Sequence, residues 1–259
     1  MAVYTRSREE IEKIRAAAQL VGMTLRELGR SLRPGITTAE LDALAETFIR
    51  DHGGRPAFKG YRGFPASICP SVNEEVVHGI PGPRVLREGD LVGIDVGVEM
   101  NGYYGDAAWT FGVGPVSAEA ERLMQVTREA LMLGIAQARP GNRVGDISNA
   151  VQSYVEREGF SVVRALVGHG IGREMHEEPA VPNFGPPGRG PRLMTGYVLA
   201  IEPMVNVGGP DVETRSDGWT VATKDGTLSA PSFVATVQPS DLVSTSGPPT
   251  LTIGSIAST

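Results

Sequence analysis

Apolar residues recur at three- and four-residue intervals along much of the chain, and between those stretches the pattern changes to alternation and to turn residues. Ile11, Ile14, Ala18, Val21, Leu25 and Leu28 mark an amphipathic helix that ends before Pro34-Gly35. Ser7 followed by Glu10 has the spacing at which each side chain caps the other's backbone N–H. Thr37 and Glu40 repeat that signature, and Leu41, Leu44, Ala45 and Phe48 carry a second helix to Gly53-Gly54. Ser117 opens a third helix through Leu123, Val126, Ala130 and Leu131 to Pro140-Gly141. Val144, Ile147, Val151 and Tyr154 make a fourth, which stops near Gly159. Residues 55–70, rich in Gly, Pro and aromatics, read as a shaped loop, and residues 162–167 as a strand running into GHGIG (168–172).

The stretch GDLVGIDVGVEMNGYYGDAAWT (89–110) carries the strongest strand signal. Two apolar runs flank Asn101-Gly102, the dipeptide that most readily supplies two positive φ values to a tight hairpin turn. With that turn, Asp106 faces Gly97 and Asp95 faces Ala108. Side chains two apart on a strand share a face, so Asp95 and Asp106 become diagonal neighbours. Two carboxylates on one buried face need a cation or a proton between them.

The same order of elements then recurs. Arg33-Pro34-Gly35 lies between two helices, as does Arg139-Pro140-Gly141, 106 residues on. GDLVGID (89–95) matches GYVLAIE (196–202), 107 residues on, each strand closed by an acid. This implies an α+β fold of two pseudo-twofold halves, with an antiparallel sheet, helices on its outer side and the acidic strand ends converging. Residues 1–230 read as one domain, and residues 231–259 as a divergent segment that either completes the sheet with its last strand or is partly disordered.

Composition narrows the setting. A net charge of −6 over 259 residues offers no overall basic surface for nucleic acid. The single cysteine, Cys69, forms no internal disulfide and suits a reducing cytosol. No apolar run reaches the length of a membrane span, and the polar first residues carry no signal-peptide pattern.

Duplication brings together Asp95, Asp106, His169 and Glu202 despite their distance in sequence. Carboxylates with one imidazole suit divalent Mn, Fe, Co or Zn, and a pair of such ions would hold a bridging hydroxide and polarise a carbonyl. His78 and His176 lie in Gly- or Pro-rich loops beside this cluster, whereas His52 sits at a helix end and reads as structural. Nothing near Cys69 suggests a nucleophile pair, so it reads as a small pocket-lining residue.

VNEEVVHGIPG (72–82), GIDVGVEMNGYYGDAAWTF (93–111), GHGIGREMHEEP (168–179), IEPMV (201–205) and DGWTVATKDGTLSA (217–230) closely resemble type I methionine aminopeptidase. The resemblance covers about residues 1–230. It implies the creatinase-like pita-bread fold and removal of the initiator methionine from new polypeptides whose next residue is small. It further implies two divalent ions, with Asp95 chelating one, Asp106 bridging both, and His169 and Glu202 holding the other. By the same resemblance His78 hydrogen-bonds the scissile amide, His176 stabilises oxyanion charge and Glu202 shuttles the proton of the attacking water. Tyr61, Phe64, Cys69, His78, Met175 and Trp219 match positions of the methionine pocket, with Phe58 and Met175 as variant wall residues. The implied partner is a nascent peptide N-terminus at the ribosome, met by a cytoplasmic monomer with no membrane or specific nucleic-acid site.

One ligand is missing. The resemblance implies a glutamate bridging both ions a few residues after TLSA, and here Phe233 stands at that position. From Gly226 to Thr259 the only ionisable side chain is Asp241, about 26 Å along an extended strand from position 233. Glu213 is a conceivable substitute from another loop. A shift at one point to an almost uncharged, Ser/Thr/Pro-rich tail reads as an altered reading frame or a natural divergence. The expectation is weak or single-ion occupancy and reduced activity. The alternatives are a catalytically inactive pita-bread protein that binds peptide N-termini or a protein partner, and a proline-specific peptidase, against which the pocket residues argue.

Overall fold

The computed structural model describes residues 3–235. Two helices open the chain, α1 (Arg8–Ser31) and α2 (Thr38–Asp51), each started by the capping box read from Ser7–Glu10 and Thr37–Glu40. Of the predicted stripes, Ile11, Ile14, Val21, Leu25 and Leu28 are buried on α1 and Leu41 and Ala45 on α2, while Ala18, Leu44 and Phe48 are half-buried and Ile49 is buried in addition. The stretch read as a loop is more ordered than its composition suggested. It holds β1 (Arg55–Pro56), a 3-10 turn at Tyr61–Gly63 and a fully buried strand, β2 (Ile68–Val72). The sequence ICPSV lacks both alternation and length, so packing on its neighbour rather than intrinsic pattern makes it a strand. After β3 (Glu75–Val77) comes the hairpin of β4 (Leu91–Met100) and β5 (Tyr103–Gly112). Its register is the one that Asn101-Gly102 dictates, Asp95 opposite Ala108 and Gly97 opposite Asp106, and both turn residues have positive φ.

The second helix pair is α3 (Ala118–Gln137) and α4 (Val144–Arg157). The strand expected over 162–167 is broken. Only β6 (Ser161–Val162) and β7 (Val167–Gly170) are regular, because residues between them turn to line a cavity. β8 (Glu177–Pro182), β9 (Leu199–Ile201), β10 (Met204–Asn206), β11 (Val212–Thr214), β12 (Val221–Thr223), β13 (Ser229–Pro231) and β14 (Phe233–Ala235) complete the described chain. Residues 231–235 thus supply one end of β13 and all of β14, while Asp241 and the remainder of the tail lie outside the described residues.

The principal sheet has eight strands in the order β1-β4-β5-β14-β9-β7-β8, with β2 also paired to β4. Its described strands all pair antiparallel, and β14 is the strand through which β5 of the first half meets β9 of the second. Alternation decides what each face carries. Val92, Ile94, Val96 and Val98 of β4 pack with α1 and α2 in one core cluster. Gly105 lets α1 lie against β5, since a Cβ there would sit 2.5 Å from the Ala18 backbone nitrogen. Asp95 and Asp106 have the opposite parity and project from the face that these helices leave uncovered.

Candidate metal centre

The cross-sheet registers bring the predicted residues onto one face. Asp95 lies opposite Ala108, Ala108 opposite position 233, and His169 opposite Ala200, two residues before Glu202. His169 Nε2 lies 3.0 Å from Glu202 Oε1 and 3.7 Å from Asp106 Oδ2. Among the described residues, Asp106, His169 and Glu202 have ligand atoms all within 4.8 Å of one another, and all three are buried. His169 Nδ1–H donates to the Gly170 carbonyl at 2.8 Å, which aims Nε2 at the carboxylates.

Asp95 faces the same cavity but stands outside that trio. Its Oδ1 and that of Asp106 are buried without a hydrogen-bond partner. Acceptors left in this way are costly unless a cation reaches them. Asp106, His169 and Glu202 therefore fit one divalent ion. Among the described residues, Asp95 and the shared Asp106 are the acids that stand at the second place implied by the resemblance. Position 233 stands in one cross-sheet row with Asp95 and Ala108, and a phenylalanine has no donor atom for an ion. Glu213 does not substitute, being exposed on β11 in a separate three-stranded sheet.

Burial governs the titration of these groups. It pushes the Asp95 carboxyl well above the usual carboxylate range, reinforced by the charges of Asp106 and Glu202. It raises Glu202 as well. For His169 burial opposes protonation, but Glu202 and Asp106 outweigh it and raise the imidazole to about 11. His176 moves the other way, to about 4, through burial and then the neighbouring His169. Burial also lowers His78.

The linkage has a defined sign. Unfolded, His169 loses its proton above the ordinary imidazole value of 6.5, whereas in the fold it keeps it to about 11. Its contribution is therefore complete below pH 6.5 and lost as pH rises, by about 1.4 kcal/mol per unit. Raised carboxyls act in the same direction, and His176 adds no slope above 6.5. In chelator, the melting temperature is expected to fall by about 3 °C per unit between pH 6.5 and 9. Saturating Mn should flatten that slope, and scanning calorimetry with and without the ion checks both.

Next to the ligand cluster is a cavity of about 290 Å³. Phe58, Tyr61, Phe64, Cys69 and Trp219 form its apolar wall, and His78 and His176 enter it. Phe64 meets Trp219 edge to face at 5.1 Å. Gly97 makes room for Phe58, whose ring would lie 2.5 Å from a Cβ there. Met175 is buried and packs with Phe58, Phe64 and Cys69, so it belongs to the same apolar cluster as the wall. Cys69 is buried, and burial with the nearby Asp95 and Asp106 charges keeps its thiol protonated, which suits a wall and not a nucleophile. His52 stacks on Phe48 at the end of α2, away from the site.

Each histidine is placed by its backbone. His78 has φ 59°, an uncommon value for a residue with a Cβ. It is held there because Gly79 runs close to β2, where an added Cβ would lie 2.5 Å from the Pro70 carbonyl oxygen. Tyr61 Oη lies 2.9 Å from His176 Nδ1, and the two rings stack with centroids 5.4 Å apart. The sequence reading missed Val77, Leu166 and Met204, which also line the cavity. The available signal was for Met204, which follows Glu202 by two residues in IEPMV.

The sequence matches metallopeptidase family M24 over residues 12–233, and the chain belongs to that family. It is 58% identical over 228 residues to the methionine aminopeptidase of Clostridium perfringens, covering 88% of this chain and 92% of the relative. Methionine aminopeptidase 1 of Bacillus subtilis is 53% identical over 224 residues, covering 86% of this chain and 90% of the relative. The crystal structure of methionine aminopeptidase from Rickettsia prowazekii superposes with a TM-score of 0.90 at 42% identity, covering 92% of this chain and 97% of that one.

Proposed function

We propose that this chain is a metal-dependent aminopeptidase, a hydrolase that removes the initiator methionine from polypeptides whose second residue is small. The observation that carries this reading is the juxtaposition of a buried Asp106–His169–Glu202 cluster with an apolar cavity walled by aromatics and Cys69. A soft apolar slot suits a thioether side chain. Relatives more than 50% identical over most of the chain bear the corresponding name, and this favours the enzyme over a binding protein of the same fold.

Asp106, His169 and Glu202 hold one divalent ion in this reading, with Asp95 beside it as a weak second place. When bound, the ion supplies Lewis acidity to a carbonyl and acidity to a water. The chain's residues do the rest. Glu202, whose carboxyl burial raises, takes the proton at its carboxylate. The Tyr61 hydroxyl donates to His176 Nδ1, so the proton of neutral His176 lies on Nε2 and is free to donate to oxyanion charge. His78 holds the scissile amide from the opposite wall. Phe64 and Trp219 exclude water around the methionine side chain. The substrate is the N-terminus of a nascent chain, met in the cytoplasm at the ribosome by a monomer; among the described residues no helix is long and apolar enough to cross a membrane.

The test is release of methionine from Met-Ala-Ser by chelator-treated chain, with and without Mn, Fe or Co. Turnover is expected only with the ion, and with Met-Leu-Ser turned over much more slowly. Absence of turnover with all three ions would count against the reading, as would equal rates without metal.

A further inference from the structure

The loop between β7 and β8, which carries His176, is fastened by residues that the proposed chemistry does not use. Glu177 follows His176 directly, and its side chain is only 7% exposed. Its Oε1 accepts from the backbone N–H of Arg173 at 2.9 Å and of Glu174 at 3.0 Å, so one carboxylate oxygen closes the turn that leads into His176. Its Oε2 takes a guanidinium N–H of Arg6, whose side chain is 6% exposed. Arg6 comes from the arm before α1, which is itself anchored. The Arg6 N–H donates to the Gly196 carbonyl at 2.8 Å, and Val3 bridges to Glu178. The guanidinium also covers Gly172, where an added Cβ would lie 2.5 Å from Nη2. The Gly172 carbonyl in turn accepts from the Tyr104 N–H at 2.9 Å, two residues before Asp106.

We propose that Arg6 is a positioning residue for His176. The guanidinium fixes the buried Glu177 carboxylate, the carboxylate fixes the two loop N–H groups, and the loop so held aims the imidazole at the reacting carbonyl. The inference rests on the proposed role of His176 as an oxyanion donor. Without Arg6, Glu177 is a buried charge that has lost its close partner, since the other guanidinium nearby, that of Arg173, is engaged with Glu10. Its relief is to turn toward water, which releases the N–H groups of Arg173 and Glu174. A donor that acts only in the transition state, once displaced, lowers kcat and leaves KM in place. Lysine at position 6 keeps the charge but not the fork of donors that reaches Glu177 and lies flat on Gly172.

The experiment is a double-mutant cycle on the full chain loaded with Mn, using hydrolysis of Met-Ala-Ser. Arg6→Ala is expected to lower kcat about tenfold or more with KM within about twofold, and Arg6→Lys to recover part of the loss. His176→Ala is expected to lower kcat about 10²-fold, and adding Arg6→Ala to it should cost less than about twofold more. The same loss from Arg6→Ala in both backgrounds would overturn the proposal, as would an unchanged kcat in the single variant. General unfolding would be felt in both backgrounds and so counts among the overturning results. Weakened Mn binding by Arg6→Ala in calorimetry would also overturn it, by placing the effect at His169. Full kcat in His176→Ala would instead refute the role of His176 beneath it.

Discussion

Phe233→Glu is expected to raise the number of tightly bound divalent ions from one to two per chain and to increase kcat on Met-Ala-Ser about 10²-fold. The backbone of β14 pairs position 233 with Ala108, which pairs with Asp95. A carboxylate introduced there joins the row that carries Asp95 and borders the strand of Asp106. Asp95 is held protonated by burial and by its acidic neighbours. A second cation would neutralise those charges and convert it into a ligand. Two ions stabilise both the attacking and the leaving oxygen, an effect worth several kcal/mol, and about 2.7 kcal/mol corresponds to 10²-fold in rate. Calorimetric titration with Mn gives the stoichiometry and steady-state kinetics the gain. Two tight ions already bound by the parent chain would defeat the argument, and equal activity of parent and variant would show the glutamate to be dispensable here.

Asp106→Asn should remove most activity and flatten the pH dependence of stability in chelator. Asp106 belongs to the compact trio and also borders Asp95, so its loss removes a ligand and leaves His169 and Glu202 alone. Activity should fall by about 10³-fold or more, as expected when metal-derived charge stabilisation of several kcal/mol is lost. In chelator the variant should also lose part of the pH slope of stability, because Asp106 is one of the two acids that raise His169. Asp106 likewise opposes ionisation of Asp95, so its loss lowers that carboxyl toward the usual range and weakens the slope further. Asparagine is nearly isosteric and leaves the space beside Gly97 unchanged. An inactive variant whose stability in chelator kept the full pH slope would show that Asp106 does not set these titrations.

The parts of this protein that were readable in its sequence are those fixed by local rules. Asn101-Gly102 determined the hairpin register, and with it the pairing of Asp95 with Ala108. Ser7–Glu10 and Thr37–Glu40 determined where two helices begin. The long-range gathering of His169 and Glu202 with Asp106 was legible only because the chain repeats its own order of elements, which converts a distance in sequence into a symmetry relation. What escaped depends on tertiary packing. β2 has no alternation to announce it, because both its faces are covered. Residues 163–166 look like a continuing strand, yet the cavity draws Ala165 and Leu166 out of the sheet. The role of Arg6 has no local signature at all, since it needs Glu177, 171 residues away.

The position of β14 has a consequence for biosynthesis. Asp106 belongs to a hairpin complete by residue 112, whereas Glu202 directly follows β9, and among the described residues the strand joining the two is formed by residues 233–235. While the chain is being synthesised, the first half can fold its hairpin and helix pair, but its open sheet edge has no partner until translation has passed residue 235. Exposed edges of this kind invite pairing with other chains. An enzyme that trims newborn polypeptides would therefore be among the last to profit from its own early synthesis, with its metal ligands still in two unconnected pieces for most of the time spent on the ribosome.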